Sequence, residues 1–166
     1  MKRLNQQELA AWCLQSGYVL TDWRPSLPGA ARIVHIPLPQ DPQQVPDLAD
    51  SLVVFATGCD MVVWLRDWTI WNDRSQDIGL RHLELLSGHV RQTGDMEAYL
   101  LRPSEWREAT AFVLLAMVYG WDAHLFFGSA AALFNISHDS FVTAAIRLQG
   151  VIDLEAWGSR LSAPAD

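Results

Sequence analysis

Lysine is almost absent from this chain. Lys2 stands alone, and the other basic side chains are arginines. Together they make 12 positive charges against 19 acids, a net charge of −7 over 166 residues. Such a chain lacks the basic footprint that phosphate backbones require, which argues against a general nucleic-acid binder. It permits a basic protein partner, drawn in by the acidic field. Cysteine is scarce too. Cys13 and Cys59 form no Cys-x2-Cys pair, and no apolar leader follows Lys2-Arg3. Two such cysteines read as reduced thiols in a cytoplasmic protein. Long apolar runs are missing. The stretch 109–134 is broken at Gly120-Trp121-Asp122, short of the roughly 20 residues a spanning helix needs, so no membrane role is expected.

Glycine-rich phosphate loops are absent as well. Neither Gly-x-Gly-x-x-Gly nor Gly-x4-Gly-Lys-Ser/Thr occurs, so no nucleotide and no other cofactor is signalled. Metal spacings are also lacking. His35 sits alone in a candidate strand, and the helix between His82 and His89 is interrupted at Ser87-Gly88, so no metal site is expected.

What is present is a globular composition. Half the residues are apolar, and eight are tryptophan. The length fits one domain, taken here as 1–158, with a frayed tail at 159–166. Asn5 and Glu8 match a capping box flanked by Leu4 and Leu9, which predicts a helix over 6–16 ended by Gly17. Tyr18 to Leu20 and Arg32 to Leu38 read as strands. Residues 46–57 fit a helix begun by Pro46 and closed by Gly58. The alternative there is a hairpin of Leu52–Thr57 against Met61–Arg66.

Met61–Leu65 reads as a buried strand, 78–86 as a helix and 96–101 as a strand. A central helix runs from Pro103 to Tyr119, its second half apolar all round and so buried on more than one side, with Leu114, Leu115 and Met117 expected inside. Then come strand 123–127, a short helix 129–133, strand 134–136, and a last helix from Ser137 through Leu148. This alternation predicts an α/β fold: a single layered domain with a mixed or mostly parallel central sheet and helices on both faces.

Two constellations could carry chemistry. The first is Ser137-His138-Asp139. At a strand-to-helix junction Ser137 would cap the helix and Asp139 would complement its dipole, with no catalysis implied. The catalytic alternative pairs His138 with a carboxylate, Asp122 or Asp139, in a small hydrolase. In a parallel sheet, however, Asp122 and His124 would lie at the edge opposite His138. The second constellation is the aromatic loop after strand 61–65. Trp68 and Trp71, with Arg66 and Arg74, could form a stacking and contact surface, or simply wedge the loop onto the body. Cys13, on the apolar helix face, reads as an inert core thiol. Cys59 lies beside Asp60, whose charge would raise its pKa.

The segments "DMVVWLRDWTIW", "AFVLLAMVYGWDAHLF" and "FNISHDSF" together resemble a group of bacterial proteins. These carry a Trp-x2-Trp loop, a Gly-Trp-Asp after a long apolar helix, and a Ser-His-Asp near the end. The similarity spans about residues 45–145. In that group the position of Ser140 is often Glu, which would complete a capping box with Ser137; here that box is incomplete. The resemblance implies a bacterial cytoplasmic domain and carries over no activity and no catalytic residue.

The expected function is therefore a non-enzymatic protein-interaction module, of adaptor, chaperone or immunity type, binding through its Trp/Arg surface. The alternatives are the hydrolase built on His138 and a small-ligand sensor with a Trp-lined pocket.

Overall fold

The computed structural model describes residues 1–56, 58–66, 97–129 and 131–147, together with Ile78, Gly79, Arg81, His82, Glu84, Leu85 and Gly88. Its frame is a seven-stranded sheet built from β1 (Lys2–Leu4), β4 (Arg32–Pro37), β5 (Met61–Leu65), β6 (Glu97–Leu101), β7 (Ala123–Phe127), β8 (Ala132–Ser137) and β9 (Phe141–Ile146). The strand order is β1-β6-β5-β7-β8-β9-β4. Every neighbouring pair in it is antiparallel. A separate two-stranded ribbon pairs β2 (Val19–Thr21) with β3 (Arg24–Ser26).

The parallel α/β expectation is thus overturned: the fold is mainly antiparallel sheet, and the helices whose bounds fall among the described residues are short, α1 (Gln6–Gln15), α2 (Val45–Val53) and α3 (Trp106–Val118). The reason lies in the connections. A parallel return needs a crossover of a dozen or more residues. Within the predicted helix at 129–133, Ser129 is in a turn and Ala132 already starts β8, and the predicted last helix is a hairpin, with residues 138–140 turning β8 into β9. Phe141–Ile146 alternates half-buried and buried positions with period two, and its Val, Thr and Ile suit a strand. Helices lie on the connections between codirectional strands: α3 carries the chain from β6 to β7, on either side of β5, and α2 lies on the path from β4 to β5, which run in the same direction but are not neighbours.

The two faces of the sheet are covered unequally. On one, α2 and α3 lie over Met61, Val63, Leu65, Tyr99, Leu125 and Phe134 as the larger core. Inside α3 the buried stripe is Ala109, Phe112, Val113, Ala116 and Met117. Leu114 and Leu115 are only half-buried and Val118 is exposed, so the all-round burial expected for this helix does not hold. On the other face, α1 and Tyr18 pack over Val62, Trp64, Ala98, Phe126 and Leu133. Among the described residues that smaller layer reaches Ala145 of β9 but takes in no residue of β4. Along these two strands Ile33 is 66% exposed, His35 and Pro37 are exposed, and Phe141, Thr143 and Ala145 are half-buried.

Local chemistry explains α1 closely. Both arms of the Asn5–Glu8 capping box form, each at 2.9 Å. At the other end Tyr18 N–H donates to Cys13 C=O at 2.9 Å and Gly17 N–H to Leu14 C=O at 3.2 Å. Gly17 takes φ 83°, the left-handed turn that a side chain disfavours. Tyr18 is thereby delivered into the core. Its hydroxyl accepts from Phe127 N–H at 2.8 Å and lies 2.7 Å from Ala132 C=O, joining the end of β7 to the start of β8. Residues 45–56 take the helical alternative, α2 followed by a 3-10 turn. Among the described residues no helix is long and apolar enough to cross a membrane.

Candidate functional site

The antiparallel order brings together two residues that a parallel sheet would have kept apart. Asp122 precedes β7, and His138 lies in the β8–β9 turn beside it. Asp122 Oδ1 accepts the His138 backbone N–H at 2.8 Å and faces His138 Nδ1 at 2.9 Å. The Asp122 carbonyl accepts Arg66 N–H at 2.7 Å, which ties this corner to the end of β5. Beneath it Trp121 is fully buried, with its N–H on Ala116 C=O at 2.8 Å. The Asp122 main chain is thereby fixed by Arg66, while both contacts on its carboxylate come from His138. A carboxylate oxygen only accepts, so a hydrogen bond at this contact places a proton on Nδ1. Nε2 lies 3.5 Å from Asp139 Oδ1, so both carboxylates named from the sequence flank this one imidazole.

Ser137 does not cap a helix. It ends β8, and its Oγ accepts Asp139 N–H at 3.2 Å inside the turn. Ser140 closes the turn at φ 67°, with its N–H on Ser137 C=O at 3.1 Å. This is a three-residue hairpin loop whose last position is left-handed. An aspartate-oriented histidine is two-thirds of a nucleophilic triad, but the neighbouring serine spends its oxygen on the turn.

His124, which a parallel sheet would have placed at the edge opposite His138, is the most unusual side chain nearby. It is buried, and neither ring nitrogen has a hydrogen-bond partner. Its ring lies 5.1 Å from Trp64 and 6.2 Å from Phe126. Burial drives its pKa down to about 3, helped by the Arg66 charge and opposed by Asp122. The strand registers place Trp64, His124, Asn135, Thr143 and His35 in one row across five strands. His35 Nδ1 meets Thr143 Oγ1 at 3.1 Å at the open end of that row. The period-two pattern of β9 was the one signal of this row in the sequence, since β7 is buried throughout.

Arg66 extends from β5 with its guanidinium 5.4 Å from the Trp64 ring centre, a cation–π contact, and its Nε lacks a partner. Trp68, Trp71 and Arg74 lie outside the described residues. Cys13 is buried, and its thiol is pushed up to about 12 by that burial, which makes it inert. Among the described residues no group of three or more His, Cys, Asp or Glu side chains is placed to hold a metal ion.

No protein family, no curated protein and no solved structure matches this chain.

Proposed function

We propose that this chain is a non-catalytic protein-interaction module, and that its binding surface is the uncovered strip of sheet on β9 and β4. The observation that carries this reading is the unequal covering of the two faces. The outward row has Ile33, 66% exposed, beside Ala145 at one end, the His35–Thr143 pair in the middle and Pro37 beside Phe141 at the other, a mixture of apolar and polar groups such as contact sites carry. Arg66, together with Trp68, Trp71 and Arg74 that follow it in sequence, belongs to the same reading because Arg and Trp dominate interface hot spots. The acidic net charge favours a basic partner and a faster approach at low salt.

The test is capture by the full chain, compared with Ile33→Glu, Phe141→Ala and Trp68→Ala, each checked for an unchanged melting temperature. A partner held by the wild type and by His138→Ala, but lost by the strip variants, supports the module. A partner retained equally by every variant sinks it.

A second reading, a small hydrolase, is favoured by one observation, the 2.9 Å contact of Asp122 with His138. It requires turnover of activated esters that disappears in both His138→Ala and Asp122→Asn. That result would displace the module.

A further inference from the structure

A cavity of about 330 Å³ opens at one end of the helical layer, between the last turn of α2 and the first turn of α3. It lies on the opposite side of the sheet from the strip and is independent of it. Its floor is the end pair of the β5–β6 ladder, Met61 opposite Leu101, both almost wholly buried. Val53 and Ala109 line the sides. At the rim stands Trp106, 51% exposed, with the Arg107 guanidinium 5.3 Å from its ring centre. Thr110 is in the wall, and its hydroxyl is buried with no hydrogen-bond partner, a polar atom the protein alone does not satisfy.

Two opposite charges line the same cavity, Asp50 from α2 and Arg102 just past β6, and both side chains are exposed. Among the described residues neither takes part in an ion pair, with each other or with a third group. An anion alone would meet Asp50, and a cation alone would meet Arg102. A zwitterion satisfies both. The volume lies in the range of small-molecule sites, which are mostly apolar with a few convergent polar groups.

We infer that this cavity binds an apolar α-amino acid, with its side chain on the Met61–Leu101 floor beside Trp106, its carboxylate at Arg102 and its ammonium at Asp50. The side chain supplies the burial. The two head-group contacts select the zwitterion, each contributing the modest amount expected of an exposed pair.

The experiment titrates the isotope-labelled full chain with L-phenylalanine, 3-phenylpropionate and phenethylamine, the same ring with both charges or only one. Spectra are read at the Trp106 indole N–H and at the Leu101 and Ala109 amides. L-phenylalanine should bind about two- to fivefold more tightly than either single-charge probe. Arg102→Gln should weaken L-phenylalanine by a similar factor without weakening phenethylamine. Asp50→Asn should weaken it without weakening 3-phenylpropionate. Val54→Trp, at the exposed rim, should close the mouth to all three probes while leaving the circular dichroism spectrum unchanged. Ala109→Met should do the same from the side wall. Equal affinity for the three probes, indifference to both charge variants, or no shift at these signals up to about 10 mM overturns the assignment. A partner bound at the strip would neither support nor harm it.

Discussion

His124 is a side chain at odds with its surroundings. A buried imidazole with both nitrogens unpaired carries a desolvation cost of about 1–3 kcal/mol, against which stand its ring contacts with Trp64 and Phe126. The effect on pH follows from where the proton goes. The folded pKa is lowered from 6.5 to about 3, so below pH 6.5 the unfolded chain takes up a proton that the folded chain refuses. Stability tied to this residue is complete above pH 6.5 and is lost as the pH falls towards 3, with a slope approaching about 1.4 kcal/mol per pH unit. His124→Leu should therefore raise the urea midpoint at pH 7, by the equivalent of about 1–3 kcal/mol, and flatten the acid limb between pH 6 and pH 4. An acid limb identical to that of the wild type would show that His124 is not the group responsible.

At the scale of elements, some segments announced themselves and others misled. Helix α1 was legible because its capping residues, its apolar pair Leu9 and Cys13 and its terminal Gly17 all pointed the same way. Strands β5 and β7 were legible from uninterrupted apolar runs, in keeping with strands buried throughout. The segment 132–146 was not. Ala131, Ala132 and Ala145 suit a helix as readily as a strand, and Phe141, Ala145 and Leu148 happen to fall at helical spacing. Ser137 followed by Asp139 imitates a helix start, because the same side-chain-to-backbone hydrogen bond serves a cap and a tight turn. Missing this hairpin also set the Asp122–His138 pairing aside as an alternative at opposite edges of the sheet, whereas β8 returning beside β7 brings the two together.

The hairpin makes its own prediction. Ser140 occupies a left-handed position that costs a non-glycine residue about 1–2 kcal/mol. Ser140→Gly should stabilise the protein by about 0.5–1 kcal/mol once glycine's greater chain entropy is deducted. Ser140→Val should destabilise it. Chemical denaturation of the three proteins decides the matter, and a destabilising glycine would mean that the turn does not hold this conformation in solution.

For the molecule as a whole, the consequence of the fold is asymmetry. One sheet face is sealed by α2 and α3, with Phe112 fully buried and its ring 4.7 Å from Tyr99. The other is sealed only as far as α1, Tyr18 and their neighbours reach, so β4 is an edge strand whose outward residues contact water. Edge strands of this kind are ready to pair or to be covered, and Pro37 and His35 are residues that discourage indiscriminate pairing there.

The energetic contrast between the faces is large enough to measure. Phe112→Ala removes a ring from the sealed core and should cost about 3–5 kcal/mol. Ile33→Thr changes an exposed side chain and should stay within about 0.5 kcal/mol of the wild type. Hydrogen exchange should follow the same order, slowest at Val63 and Leu125 in the central strands β5 and β7 and fastest along β4, where the outer backbone groups have no neighbouring strand in this sheet. An Ile33→Thr variant as unstable as Phe112→Ala, or β4 amides as protected as those of β5, would mean that the strip is covered within the chain itself, and the interaction surface would have to be sought elsewhere.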